Sequence, residues 1–119
     1  MISVTIIAKN EEKNIEDCLR SVDWADEIVV VDGESTDNTQ SLVKKFPNVK
    51  LVINKWEGYT SQRRLALENT TNPWIFSLDA DERVTHELRD EILNAVKTNN
   101  VCGYRIPRKS FFLKKWIKH

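Results

Sequence analysis

Three features of the 119 residues predict an α/β fold with an open, mostly parallel sheet flanked by helices. Short apolar, β-branched runs alternate about five times with segments of helical periodicity. The apolar runs are continuous rather than alternating, which marks strands buried on both faces and so a parallel sheet under helices. Polar, acid-bearing loops follow the strands, on the side where open sheets of this kind take ligands.

The elements follow in order. Ile2 to Ala8 reads ISVTIIA, a buried strand, and Lys9-Asn10-Glu11-Glu12 ends it. Ile15, Cys18, Leu19 and Val22 lie at i, i+3, i+4 and i+7, the stripe of an amphipathic helix. Ile28 to Val31 is a second buried strand running into Asp32-Gly33. Ser35 or Thr36 is placed to cap a helix through about Phe46, with Leu42, Val43 and Phe46 inward. Pro47-Asn48 stops it, Val49 to Ile53 is a third strand, and Gly58 to about Asn69 a helix. Pro73 opens a fourth strand, Trp74 to Leu78, ending at Asp79-Ala80-Asp81. Thr85 caps a last helix with Leu88, Ile92, Leu93 and Val96 on one face, and Val101 to Ile106 is an expected fifth strand.

Composition narrows the class. Hydrophobic residues make up 40% and charged residues 30%, an ordinary globular balance, and three Gly and three Pro exclude linker-like chains. No apolar run approaches the ~18 residues of a membrane span, and no basic region precedes the first strand, so no signal peptide is expected. The net charge of zero hides a split: all 18 acids fall in residues 1–104, with 12 Lys/Arg, whereas residues 105–119 hold the other six cations and no acid. An acidic body disfavours nucleic acid as a partner. Cys18 and Cys102 have no partner spacing and read as reduced thiols; His86 and His119 are isolated, so no zinc site is legible.

Asp79-x-Asp81 is the sharpest chemical feature. Two carboxylates two apart at a strand end, with a small residue between, suit one hard cation such as Mg²⁺ or Mn²⁺ whose remaining ligands come from substrate phosphates; the alternative is a polar turn opening a helix. Asp32 ends the second strand, where an acid commonly binds a nucleotide's ribose or base. A dehydrogenase is disfavoured because Lys9-Asn10-Glu11-Glu12-Lys13-Asn14 contains no glycine, and the P-loop signature is absent. A phosphoacceptor signalling domain would carry an Asp after the third strand, where this chain reads Asn54-Lys55. Arg63, Arg64 and Arg83 lie near the strand-end loops, and Glu82 and Arg83 either act at the site or form the polar start of a helix. Trp56 is the one tryptophan placed for sugar stacking; Trp74 reads as core.

Three segments together, Ile6-Ile7-Ala8-Lys9-Asn10-Glu11-Glu12, Ile28-Val29-Val30-Val31-Asp32-Gly33-Glu34-Ser35-Thr36-Asp37-Asn38-Thr39 and Trp74-Ile75-Phe76-Ser77-Leu78-Asp79-Ala80-Asp81-Glu82, resemble a family 2 glycosyltransferase of the GT-A fold. The resemblance is closest to bacterial lipopolysaccharide core β-1,4-glucosyltransferase-like proteins. It implies that Ala8, Lys9 and Glu11 line a nucleotide pocket. Asp32 would bind the base or ribose, Arg63 within Gln62-Arg63-Arg64 would contact nucleotide or phosphate, and Asp79 and Asp81 would bind metal and sugar diphosphate. Arg64 stands where the family more often has Asn, and Ala8 where many members have Pro.

The implied reaction is transfer of a sugar, with inversion, from a nucleotide diphosphate, UDP-glucose being the expected donor, to a glycan or lipid-linked acceptor such as lipopolysaccharide core. The implied setting is cytoplasmic, with possible peripheral contact at the inner membrane. Residues 1–104 are then expected to be the nucleotide-sugar-binding domain and 105–119 the start of an acceptor-binding half, with the general base beyond His119. A non-catalytic nucleotide-binding or interaction domain is the alternative. For the basic segment, packing against an acceptor half is weighed against a membrane-surface role.

Overall fold

A computed structural model describes residues 1–98. Its strands are β1 (Ile2–Ala8), β2 (Glu27–Asp32), β3 (Val49–Ile53) and β4 (Trp74–Asp79). Its helices are α1 (Ile15–Arg20), α2 (Thr39–Val43), α3 (Tyr59–Glu68) and α4 (His86–Thr98). The strands form one parallel sheet in the order β3-β2-β1-β4, as the continuous apolar runs predict. The expected fifth strand, Cys102 and the basic segment 105–119 lie outside the described residues.

Register levels the carboxyl ends of the strands. Ala8 pairs with Asp32, Ile7 with Asp79, and Asp32 with Ile53. The chain steps outward from β1 through β2 to β3, then returns to the far side of β1 for β4. That reversal makes a switch point between β1 and β4, the place where such sheets open a crevice for ligands. A crossover of constant hand changes face when the direction of travel reverses, and the packing follows that rule. Ile15, Cys18 and Leu19 of α1 and Val43 of α2 share one core with Val4, Ile6, Val30 and Phe76, and Ile92 and Ala95 of α4 join it. Ala66 of α3 packs on the other face, against Val29 and Val31. Phe76 is 1% exposed, and burying a side chain of that size contributes ~1.5–3 kcal/mol. On the α3 face the buried hydroxyls of Thr5 and Ser77 bond each other at 3.1 Å, so polar residues in the sheet are satisfied internally.

Two expectations are corrected. The second helix starts at Thr39, not at Ser35 or Thr36, and Asn38 precedes it without a side-chain cap. The hydroxyl of Ser35 and the backbone of Thr36 are engaged by the loop after β1 instead. In α4, Thr85 caps as expected, its Oγ1 accepting the Leu88 N–H at 3.1 Å. Leu93, expected to face inward, is 37% exposed, and Ala95 takes the buried place. The apolar stripe runs 88, 92, 95, 96, and residue 93 lies a further 100° around the helix. Both strand-end acids are themselves paired strand residues, so Asp32 and Asp79 are held by the sheet.

Candidate functional site

The loops after β1 and β2 are stitched to each other. Asn10 takes a left-handed conformation, φ +54°, which Asn tolerates better than most residues. From there its N–H donates to Ser35 Oγ (2.7 Å) and its Oδ1 accepts the Thr36 N–H (2.8 Å). The Glu11 N–H donates to Thr39 Oγ1 at 2.8 Å and the Glu12 N–H to Asp37 Oδ2 at 3.2 Å. At Asp37, desolvation works upward, but the Thr39 hydroxyl and N–H and the Glu12 N–H together outweigh it and hold the carboxyl below the ordinary range. Asp32 anchors the same structure from beneath. It is fully buried: Oδ1 accepts the Ser35 hydroxyl at 2.6 Å, and Oδ2 accepts the Ser35 N–H and the Gln40 amide, each at 2.8 Å.

The segment between β3 and α3 supplies an aromatic wall. Gln62 is buried and exchanges two hydrogen bonds with Asn54, amide to amide (2.8 Å) and amide to carbonyl (3.1 Å), tying the end of β3 to α3. Gly58, at φ +109°, makes the sharp turn into α3. Trp56 and Tyr59 stack with centroids 6.4 Å apart, Lys9 Nζ lies 5.9 Å from the Trp56 ring, and the Arg63 guanidinium lies 4.8 Å from the Tyr59 ring. Gly33 is required by this wall, since a Cβ there would stand 2.9 Å from Trp56 Cε3. Gly33→Ala therefore displaces the indole, at a cost of about 1–3 kcal/mol. Tryptophan emission and the unfolding midpoint should both move, and the emission change should vanish in a Trp56→Phe background. Unchanged emission in Gly33→Ala would contradict the contact.

At the end of β4 the backbone is held from both sides. The Asp79 N–H donates to Glu82 Oε1, and the Glu82 N–H donates to the Asp79 carbonyl, both at 2.9 Å. Tyr59 Oη donates to Asp79 Oδ1 at 2.5 Å. Burial, with that bond and the Asp79 charge, pushes the Tyr59 phenol up, partly offset by Arg63. Arg83 turns away to Asn14 (3.3 Å) and Asp17 (3.5 Å) on the α1 side. Glu82 and Arg83 thus brace the turn after β4; they do not form the polar start of α4, which begins at His86. Buried Cys18 has its thiol pushed up to about 12 by desolvation, and an un-ionised thiol of this kind is a poor nucleophile.

At the switch point these loops enclose an open cavity of about 400 Å³, lined by Ile7, Lys9, Glu11, Trp56, Tyr59, Asp79, Ala80 and Asp81. The volume is that of a small-molecule site. Of the residues singled out in sequence, Lys9, Glu11, Asp79, Asp81 and Trp56 meet here. Ala8 is buried at the end of β1 between two lining residues, Asp32 is buried beneath the stitched loops, and Arg63 reaches the site through Tyr59. Tyr59 carries no signal in the apolar pattern; the sequence hint is its place right after Gly58 in a strand-end loop. Three carboxylates and one amine give the lining an excess of negative charge. Among the described residues no three metal-ligating side chains converge. Asp79 and Asp81 therefore offer a partial set of hard oxygens, one that fits a divalent cation completed by water and substrate oxygens.

The comparisons agree with this architecture. The model of the family described as Glycosyl transferase family 2 matches residues 3–119. The chain is 35% identical over 119 residues to the lipopolysaccharide core biosynthesis glycosyltransferase LpsC of Rhizobium meliloti, covering 94% of this chain and 43% of that protein. It is 42% identical over 104 residues to the uncharacterized glycosyltransferase RT0209 of Rickettsia typhi, covering 87% of this chain and 35% of that one. The chain spans less than half the length of these relatives. Among solved structures, S. aureus TarS in complex with UDP-GlcNAc superposes with a TM-score of 0.68 at 28% identity, over 82% of this chain and 31% of that one. With a parallel sheet that matches GT-A structures and a family match over nearly its whole length, the chain belongs to glycosyl transferase family 2.

Proposed function

We propose that residues 1–104 are the nucleotide-sugar-binding part of an inverting glycosyltransferase, with UDP-glucose as donor and a glycan or lipid-linked acceptor of the lipopolysaccharide core kind. The observation that carries this is the acid-rich cavity at the switch point, lined by Asp79 and Asp81 together with Trp56 and Tyr59. An excess of carboxylates repels a bare diphosphate, so a divalent cation, Mg²⁺ or Mn²⁺, belongs between the two. When bound, that ion supplies neutralisation of charge on the leaving diphosphate. The chain's own residues hold the donor: Lys9 and Glu11 border the nucleotide, the aromatic wall excludes water, and Asp79 and Asp81 fix the diphosphate end. Transfer also needs a base for the acceptor hydroxyl, which we place in the part of the relatives' length that this chain does not span. TarS as a UDP-GlcNAc complex and LpsC as a lipopolysaccharide core enzyme support the substrate classes. A nucleotide sugar made in the cytoplasm and a lipid-linked acceptor would place the reaction at the cytoplasmic face of the inner membrane.

The test is calorimetric titration of the chain with UDP, with Mn²⁺ and again with EDTA. Binding that needs the metal supports the reading; equal binding in both, or none in either, overturns it. Incubation with UDP-glucose and an acceptor then separates a transferase from a domain that only binds nucleotide.

A further inference from the structure

We propose that Tyr59 is a positioning residue of the metal site, its hydroxyl orienting the Asp79 carboxylate so that the second oxygen is presented, with Asp81, to a divalent cation. The inference rests on the metal reading above and adds a residue that neither the motifs nor the family resemblance singles out.

The two carboxylates are not equivalent. The Asp79 backbone is fixed at its N–H by the Glu82 side chain and at its carbonyl by the Glu82 N–H, with the Cys18 thiol 3.6 Å from the same carbonyl. What orients the carboxylate is then its side-chain torsions, and a directional bond narrows the range they sample. The bond from Tyr59 Oη to Oδ1 supplies that direction. It occupies one lone pair of one oxygen, and a carboxylate offers about four acceptor positions, so orientation is set without closing the group to a metal. Asp81, by contrast, is exposed and makes no hydrogen bond to a described residue.

The tyrosine is itself held. It is the first residue of the ten-residue helix α3, placed there by the turn at Gly58. Its ring is backed by the Arg63 guanidinium at 4.8 Å and by Trp56 at 6.4 Å. Arg63, expected from the resemblance to touch nucleotide or phosphate, in this geometry works through Tyr59. A rigid aromatic on a helix, a directional bond and a fixed backbone make Asp79 the preset ligand. Asp81 is left to close over the ion.

The experiment uses the 119-residue chain and Mn²⁺ alone, without nucleotide, and follows loss of the free-ion signal by electron paramagnetic resonance. Tyr59→Phe removes the hydroxyl and keeps the ring with its Arg63 and Trp56 contacts. The dissociation constant for Mn²⁺ should rise about tenfold as the preset orientation is lost, beyond whatever the lost bond costs the unfolding midpoint. A purely structural tyrosine would shift the midpoint and leave Mn²⁺ affinity alone. Arg63→Ala should raise the constant by a smaller factor, about threefold. Mn²⁺ binding by Tyr59→Phe as tight as wild type, or tighter, overturns the proposal, since the hydroxyl is then a spectator or a competitor. Wild type that holds no more Mn²⁺ than Asp79→Ala/Asp81→Ala would instead sink the metal reading itself, and this inference with it.

Discussion

Replacing Asp32 with Ala lowers the unfolding free energy by about 3 kcal/mol, a large share of what a domain of this size has. The carboxylate is fully buried and accepts three hydrogen bonds, two from Ser35 and one from Gln40. Truncation strands all three donors, and leaving the partners of a buried charge unpaired costs more than the pair is worth when intact. The damage spreads because Ser35 also receives the Asn10 N–H, so the loop after β1 that carries Lys9 and Glu11 loosens as well. Asp32→Asn keeps the volume but turns an amide toward donors, and falls between Ala and wild type. Urea unfolding followed by circular dichroism measures this directly. The resemblance instead predicts a ligand role for Asp32. A variant with wild-type stability, within about 0.5 kcal/mol, that no longer binds UDP would favour the ligand over the anchor.

The contrast between those two views of Asp32 shows what a sequence can carry. ISVTIIA and IVVV are legible as strands because burial on both faces leaves an unbroken apolar run, a property of the residues themselves. Ile15, Cys18 and Leu19 are legible for the same reason, since a 3.6-residue repeat needs no knowledge of the partner surface. Ser35 and Thr36 were misleading because their partner, Asn10, lies 25 and 26 positions away. A hydroxyl near a helix start predicts a cap only when nothing distant competes for it. The acids at strand ends are visible as acids, but whether each faces a cavity or the interior depends on what folds back over it. Ser35 and Gln40 fold over Asp32, and Tyr59 reaches across to Asp79. The spacing Asp32-x-x-Ser35 was a local hint of the first, whereas the Tyr59 contact spans twenty residues and two elements, and its place after Gly58 hints at the residue but not at its partner.

Removing the paired acids gives the second large effect, and its asymmetry is the informative part. Asp79→Ala should weaken Mn²⁺-dependent UDP binding at least about a hundredfold, because it deletes the oriented ligand and leaves the Tyr59 hydroxyl without its acceptor. Asp81→Ala deletes an exposed carboxylate that no described residue holds, so the fold is untouched and the loss should be nearer tenfold. The double variant should lose metal dependence altogether, with the weak residual binding the same in Mn²⁺ and in EDTA. The two single losses should also fail to add, since both groups would hold one ion. Strict additivity in the calorimetric titration would mean that the carboxylates act on separate partners. In that case a shared cation at the β1–β4 switch point is wrong, even if each residue still matters for binding.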